Sequence, residues 1–166
     1  MTFETTIAPI AILIVEDDVL VRMVAGDILT DAGFRVHEAD DASEAVTLLE
    51  ARTDIRVVFT DWNMPGDMDG IDLAHLVSKR WPKVGILVTS GKMHPNPWDL
   101  PEGVQFLAKP YRPLALIEVV KAVAQASDEI APGALVLPER IMMHSPVRAE
   151  VGGLGIVAGL SGLDKI

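Results

Sequence analysis

Two kinds of hydrophobic pattern alternate along this chain. The first is a short continuous apolar run, such as Ala11–Val15, which is typical of a strand buried on both faces of a sheet. The second places apolar residues three or four positions apart, which is typical of a helix with one face toward the core. This helical spacing occurs directly after the first strand, where the apolar residues are Val21, Val24, Ala25, Ile28 and Leu29. The start of the chain therefore predicts a strand and a core-facing helix, with Gly33 in the left-handed position after the helix.

The same alternation continues to about residue 126. Further strands are predicted at 34–38, 55–60, 84–88 and 104–108, and further helices at 41–51, from 70 onward and at 114–126. Asp41 and Glu44 have the spacing of a capping pair at the start of the second helix. Five strands alternating with helices predict an α/β fold, a doubly wound parallel sheet of the flavodoxin-like type with strand order 2-1-3-4-5.

The connection between the fourth and fifth strands departs from this alternation. It reads KMHPNPWDLPEG and contains Pro95, Pro97 and Pro101. Proline inside a helix removes a backbone donor and clashes with the preceding turn, at a cost of roughly 3 kcal/mol. We therefore expect a short or irregular fourth helix.

The composition changes after the last predicted helix. Residues 127–166 contain proline, glycine and scattered apolar residues without a helical or strand period. We therefore divide the chain into a folded domain at 8–126 and a C-terminal extension at 127–166. The extension is either flexible or an arm that orders against a partner or a second copy, for example through 134–137, so a homodimer stays open.

Charge and composition exclude several classes of function. The chain has 14 Lys and Arg against 24 Asp and Glu, a formal net charge of −10, which disfavours binding to nucleic acid or anionic membranes. It has no cysteine, which excludes disulfides and thiolate chemistry. The N-terminus lacks a basic signal-peptide region, and the apolar stretch at 151–163 is too short for a membrane span. We expect a cytoplasmic protein.

Polar residues gather where the predicted strands end. In an open parallel sheet, ligands bind at the carboxyl ends of the strands. The residues that follow the first, third, fourth and fifth strands are Glu16, Asp17 and Asp18, then Asp61, then Thr89 and Ser90, and finally Lys109. Several carboxylates at one sheet edge repel each other unless they protonate or bind a cation. The pattern therefore predicts a site for a hard divalent cation, Mg²⁺ or Mn²⁺.

Such a site is suited to phosphoryl transfer. The cation and Lys109 would neutralise an incoming phosphoryl group, Thr89 would donate a hydroxyl hydrogen bond, and Asp61 would act as the nucleophile.

Four motifs occur here in a characteristic order, namely ILIVEDD, VVFTDWNMPGDMDG, ILVTSG and FLAKPY. In these motifs the chain resembles the receiver domain of two-component response regulators, over residues 10–126. The resemblance implies that Asp61 is the phosphoacceptor. It also implies that Glu16 and Asp17 are the acidic pair around the metal, with Asp17 a direct ligand and Glu16 acting through water. The backbone carbonyl of Asn63 would complete the protein's share of the metal shell.

The resemblance also implies a switch and a set of partners. Thr89 would be the switch hydroxyl, Phe106 the aromatic ring that turns inward with it, and Lys109 the salt-bridging lysine, followed by a cis peptide bond to Pro110. The phosphoryl donor would be a sensor histidine kinase or a histidine phosphotransfer protein. The output would be contact with another protein, since no DNA-binding domain is visible and the charge opposes DNA.

Two departures from the family pattern concern the output face. The loop MPGDMDG after Asp61 is one residue longer than the common form, and the proline-rich segment replaces the usual fourth helix. Because the family often signals through its fourth helix, fifth strand and fifth helix, we expect the chemistry to be retained and the output surface to differ.

Three other functions share part of this pattern. An aspartyl-phosphate phosphohydrolase would need the same acids and metal, but haloacid-dehalogenase-like phosphatases carry a DxD pair on the first strand, whereas Asp61 follows the third. A receiver-like scaffold that is never phosphorylated would keep the fold alone. A flavodoxin-like flavin carrier is disfavoured, because the loop after the first strand offers EDD instead of phosphate-binding Ser, Thr and Gly donors. We expect no enzymatic activity beyond phosphorylation and dephosphorylation of Asp61 itself.

Overall fold

The computed structural model describes residues 8–92, 94–96 and 98–129. These residues belong to one compact unit of the chain, Met1–Gly133. The predictions for the extension, including the proposed arm at 134–137, lie outside the described residues.

The described residues form five strands and four helices, in the order that the hydrophobic pattern predicts. They are β1 Ala11–Val15, α1 Val19–Asp31, β2 Arg35–Ala39, α2 Ala42–Ala51, β3 Ile55–Asp61, α3 Gly70–Arg80, β4 Gly85–Ser90, β5 Gln105–Ala108 and α4 Pro113–Glu129. The strands form a single parallel sheet in the order β2-β1-β3-β4-β5, which confirms the predicted doubly wound topology.

The core lies in two layers, one on each face of the sheet. Alternate residues of the central strands point to opposite faces, so Leu13 and Val58 belong to one layer and Ile12 and Val57 to the other. Helices α2 and α3 cover the first layer, while α1 and α4 cover the second. With both faces covered, the central strands β1, β3 and β4 are buried along almost their whole length, which explains their continuous apolar runs.

Helix α1 confirms part of its prediction and corrects another part. Asp18 caps its N-terminus by accepting from the amides of Leu20 and Val21, and Gly33 follows its end with φ +92°. Val24 was predicted to face the core and is 59% exposed, so that prediction is wrong. The buried face contains Arg22 instead, because acidic groups at the end of β2 neutralise its guanidinium.

The segment between β4 and β5 has no helix in its described residues. Two hydrogen bonds close a turn there: the amide of Asn96 donates to Oδ2 of Asp99, and the amide of Asp99 donates to the carbonyl of Asn96, both at 2.9 Å. The turn is joined to α3 because Nε2 of His75 lies 3.0 Å from the carbonyl oxygen of Asp99. The predicted short or irregular helix is therefore replaced by turns.

Helix α4 extends three residues beyond its predicted end at 126. Ser127 is buried and donates to the carbonyl of Val123, and Asp128 forms an ion pair with Arg56. These contacts continue the helix where the composition alone indicated its end. Among the described residues, no helix is long and apolar enough to cross a membrane.

Candidate functional site

The carboxyl ends of the strands bring the predicted site residues together at one edge of the sheet. Asp61 is the last residue of β3, and its register partner on β4 is Thr89. The backbone there is tied in place, because the amide of Trp62 donates to the carbonyl of Thr89 and the amide of Gly70 donates to the carbonyl of Trp62, both at 2.8 Å. The position of Asp61 is therefore set by its own strand, by β4 and by the start of α3.

Three carboxylates meet at this edge. Glu16 is 5% exposed and Asp61 is 8% exposed, while Asp17 lies at the surface. One oxygen from each of the three lies within 4.8 Å of the others. The third acid of the EDD run, Asp18, caps α1 instead. Because the donors are all oxygens, partly open to solvent, the set fits a hard cation such as Mg²⁺ that keeps several of its waters.

Lys109 links two of these acids. Its Nζ donates to Oε2 of Glu16 at 2.7 Å and to Oδ1 of Asp61 at 3.1 Å. Burial lowers the pKa of Lys109, but the hydrogen bond to Glu16 and the charges of Asp61 and Glu16 outweigh burial, so the pKa lies above its ordinary value. The lysine is therefore a permanent cation beside Asp61.

The pKa of Glu16 shows that negative charge is unfavourable at this site. Burial raises its pKa above the ordinary value, and the negative charge of Asp61 adds to this effect. The hydrogen bond from Lys109 only partly offsets both. One lysine thus leaves the cluster with excess negative charge, and a divalent cation would remove that excess.

The predicted switch residues, Thr89 and Phe106, lie near the site, but in this structure their side chains contact residues other than Asp61. The hydroxyl of Thr89 donates to the carbonyl of Leu107 on β5 at 2.7 Å. The half-buried ring of Phe106 lies edge-on to the ring of His94, with their centroids 5.7 Å apart. Their movement on phosphorylation stays a prediction.

Two other predicted features of the site concern Asn63 and the peptide bond between Lys109 and Pro110. Asn63 is exposed, and its Nδ2 lies 3.4 Å from Oγ of Ser90. A metal-binding role for its backbone carbonyl stays a prediction. The peptide bond between Lys109 and Pro110 is cis, as predicted.

Arg22 is a site-adjacent residue that the sequence reasoning missed. Its Nη1 donates to the backbone carbonyl of Glu16 at 2.6 Å. A signal was available, since Arg22 interrupts the apolar pattern of α1 one turn after the acidic run, where a charged side chain needs nearby acceptors.

The fold and the site together define a receiver-type α/β domain. Comparison with known proteins gives the same class. Residues 12–121 match the family described as Response regulator receiver domain. The chain is 32% identical over 123 residues to the chemotaxis protein CheY1 of Helicobacter pylori, covering 70% of this chain and 98% of that protein. It is also 32% identical over 162 residues to the response regulator protein FleR of Pseudomonas aeruginosa, covering 93% of this chain and 34% of that protein.

Solved structures show the same fold. A response regulator receiver protein from Sinorhizobium medicae aligns with a TM-score of 0.66 at 25% identity, covering 72% of this chain and 97% of that one. NtrX from Brucella abortus aligns with a TM-score of 0.65 at 29% identity, covering 74% of this chain and 28% of that one. This chain belongs to the response regulator receiver domain family.

Proposed function

We propose that this chain acts as the phosphorylated receiver of a two-component response regulator. It accepts a phosphoryl group on Asp61 from a histidine kinase or a histidine phosphotransfer protein, and the phosphorylated domain changes its contacts with a protein target. The observation that carries the proposal is the position of Asp61, which ends β3 with Lys109 at 3.1 Å and the acids Glu16 and Asp17 beside it.

The chemistry follows from these groups. A carboxylate oxygen of Asp61 attacks phosphorus, the bond from phosphorus to the donor's imidazole nitrogen breaks, and that nitrogen keeps the electron pair. Lys109 holds a positive charge next to the oxygen that would form the acyl phosphate. Bound at Glu16, Asp17 and Asp61, Mg²⁺ or Mn²⁺ would neutralise the charge of the phosphoryl oxygens.

The only covalent change in this proposal is the phosphorylation and dephosphorylation of Asp61. Output is by protein contact, because a net charge of −10 repels nucleic acid. The donor and the target are therefore both proteins.

Magnesium-dependent labelling tests this function. With a small acyl phosphate as donor, the full chain is expected to gain one phosphoryl group in Mg²⁺ and none in EDTA, measured by intact mass. Borohydride reduction, which converts an acyl phosphate but leaves a free carboxylate, is expected to map the group to Asp61. Labelling that persists in EDTA, or that maps elsewhere, would contradict the proposal. Rapid multiple turnover of an aryl phosphate would favour the phosphohydrolase instead.

An apolar surface beside the site suits the docking of the donor protein. On the outer face of α1, Leu20 is 73% exposed and Val24 is 59% exposed, with Val19 and Met23 also exposed. An open groove of about 510 Å³ runs from this face to Lys109, Pro110 and Tyr111. Large apolar side chains in solvent next to a reactive group are typical of an interaction surface.

Replacing Leu20 with Asp is expected to separate the two kinds of donor. Phosphotransfer from a phosphorylated histidine phosphotransfer protein should fall about tenfold or more, as for loss of an interface anchor. Labelling by the small donor should be unchanged, because an acidic residue in the first turn of a helix is tolerated. Trp98→Asp, which adds the same charge at an exposed residue of the β4–β5 segment, is the matched control. Equal transfer to both variants would remove α1 as the docking surface.

A further inference from the structure

Arg22 has no role in the chemistry proposed above, although it is a largely buried basic residue that contacts the loop after β1, which carries Glu16, Asp17 and Asp18. Its side chain is 11% exposed. Nε lies 3.1 Å from Oε2 of Glu38, and Nη1 lies 2.7 Å from Oδ1 of Asp40. The same Nη1 donates to the backbone carbonyl of Glu16 at 2.6 Å. One guanidinium thus joins the end of β1 to the end of β2.

Both backbone polar groups of Glu16 are held by residues 38–40. Its amide donates directly to the carbonyl of Ala39 at 3.2 Å. Its carbonyl is held through Arg22, whose other contacts are the side chains on either side of Ala39 in sequence. The residue that carries a buried carboxylate of the site is therefore fixed through its own main chain.

The local sequence makes room for this arrangement. Gly26 lies one helical turn after Arg22 on the same face of α1, and a Cβ there would lie 3.2 Å from Oε1 of Glu38. Such a contact is tighter than usual, so the missing side chain leaves space for Glu38 to reach the guanidinium. Arginine suits the position because its planar fork offers five donors in fixed directions, whereas lysine has a single ammonium on a flexible stem.

We propose that Arg22 is a positioning residue for the metal site: it fixes the main chain at Glu16 so that the carboxylates of Glu16 and Asp17 face Asp61. The inference rests on the proposed function, because it takes these acids to be the cation site. Without the guanidinium, the carbonyl of Glu16 loses its donor and the loop that carries both acids gains freedom. Groups that orient metal ligands typically change metal affinity by about 10- to 100-fold when they are removed.

Mg²⁺ titration of the full chain by calorimetry tests the role of Arg22. Arg22→Met is expected to weaken Mg²⁺ binding about tenfold or more, and Arg22→Lys is expected to restore only part of it. Arg35→Met is the matched control, since it removes the same charge from an exposed arginine that is paired with Asp54 at 3.5 Å. The control should bind Mg²⁺ within about twofold of the unmodified chain.

A metal-free measurement complements the titration. In EDTA, the amides of residues 16–18 should exchange hydrogen faster in Arg22→Met than in Arg35→Met, at equal thermal midpoints. If Arg22→Met does not fold, Asp40→Ala removes the carboxylate that pairs with the guanidinium on its exposed side, and it should weaken Mg²⁺ binding in the same direction.

Three results decide the inference. Unchanged Mg²⁺ affinity in a folded Arg22→Met chain would overturn it. So would an equal loss of affinity in Arg35→Met, because the effect would then be one of net charge. A chain that binds Mg²⁺ with the expected ratio between variants, but is never labelled on Asp61, would refute the proposed function and support the inference.

Discussion

Asp61→Asn is expected to abolish incorporation of the phosphoryl group while leaving the fold intact. An amide does not form an acyl phosphate, so labelling by a small donor in Mg²⁺ should fall below detection in intact mass. The fold should persist because asparagine has nearly the same shape, and its Oδ1 can still accept the hydrogen bond from Lys109, now 3.1 Å long. Burial and, to a smaller extent, the charge of Asp61 raise the pKa of Glu16, so loss of the Asp61 carboxylate also removes the smaller of these two effects.

The control is an equal change of charge elsewhere on the same loop. Asp67 is exposed between β3 and α3, and within the described part of the chain it has no hydrogen bond or ion pair. Asp67→Asn should be labelled at the rate of the unmodified chain. Full labelling of Asp61→Asn would show that another group accepts the phosphoryl group, and the assignment of Asp61 would be wrong.

The central strands were predictable because their interiors follow one simple pattern, a continuous apolar run that is buried on both faces. All five residues of β1 are buried and all are apolar, so the run and the strand coincide. The predicted ends fail where the strands enter the site. Strand β3 includes Asp61, and β4 continues through Thr89 and Ser90. These polar residues are buried at the carboxyl edge of the sheet, and a hydrophobic pattern necessarily leaves them out.

In helix α1 the hydrophobic pattern fails differently, because it places an exposed residue on the core face and omits a buried one. The spacing predicted Val24 on the core face, but Val24 is exposed and Arg22 is buried. Burial of Arg22 depends on acceptors from Glu38 and Asp40, which lie 16 and 18 residues away in sequence. Local periodicity contains no information about such distant partners, so it assigns a charged residue to solvent.

The candidate site was predictable in its membership but not in its contacts. Successive strand ends must lie at one edge of a parallel sheet, so Asp61 and Lys109 were expected to be close and are 3.1 Å apart. The direction of a hydroxyl is not fixed by the position of its strand. The hydroxyl of Thr89 donates to the carbonyl of Leu107. This contact depends on how β4 pairs with β5, so the position of Thr89 in the sequence does not predict it.

The start of α3 gives a second prediction with a large effect, on stability and on the site together. Gly70 packs directly against the backbone at the end of β3. A Cβ at Gly70 would overlap the carbonyl oxygen of Asp61 and lie 2.8 Å from its carbonyl carbon and 2.9 Å from Cα of Trp62. These are backbone atoms, so no rotamer change can relieve the overlap. Gly70→Ala must therefore push α3 away from β3 or move Asp61.

We expect Gly70→Ala to cost about 3 kcal/mol and to lower the thermal midpoint by roughly 10 °C. Mg²⁺ binding and labelling should weaken as well, because the displaced backbone is that of Asp61. Gly91→Ala is the matched control, since a Cβ there would meet only Cβ of Lys109 at 3.7 Å, an ordinary contact. The control should keep its midpoint and its labelling. A Gly70→Ala chain as stable as that control would mean that α3 can yield without cost, and that Asp61 does not depend on this contact for its position.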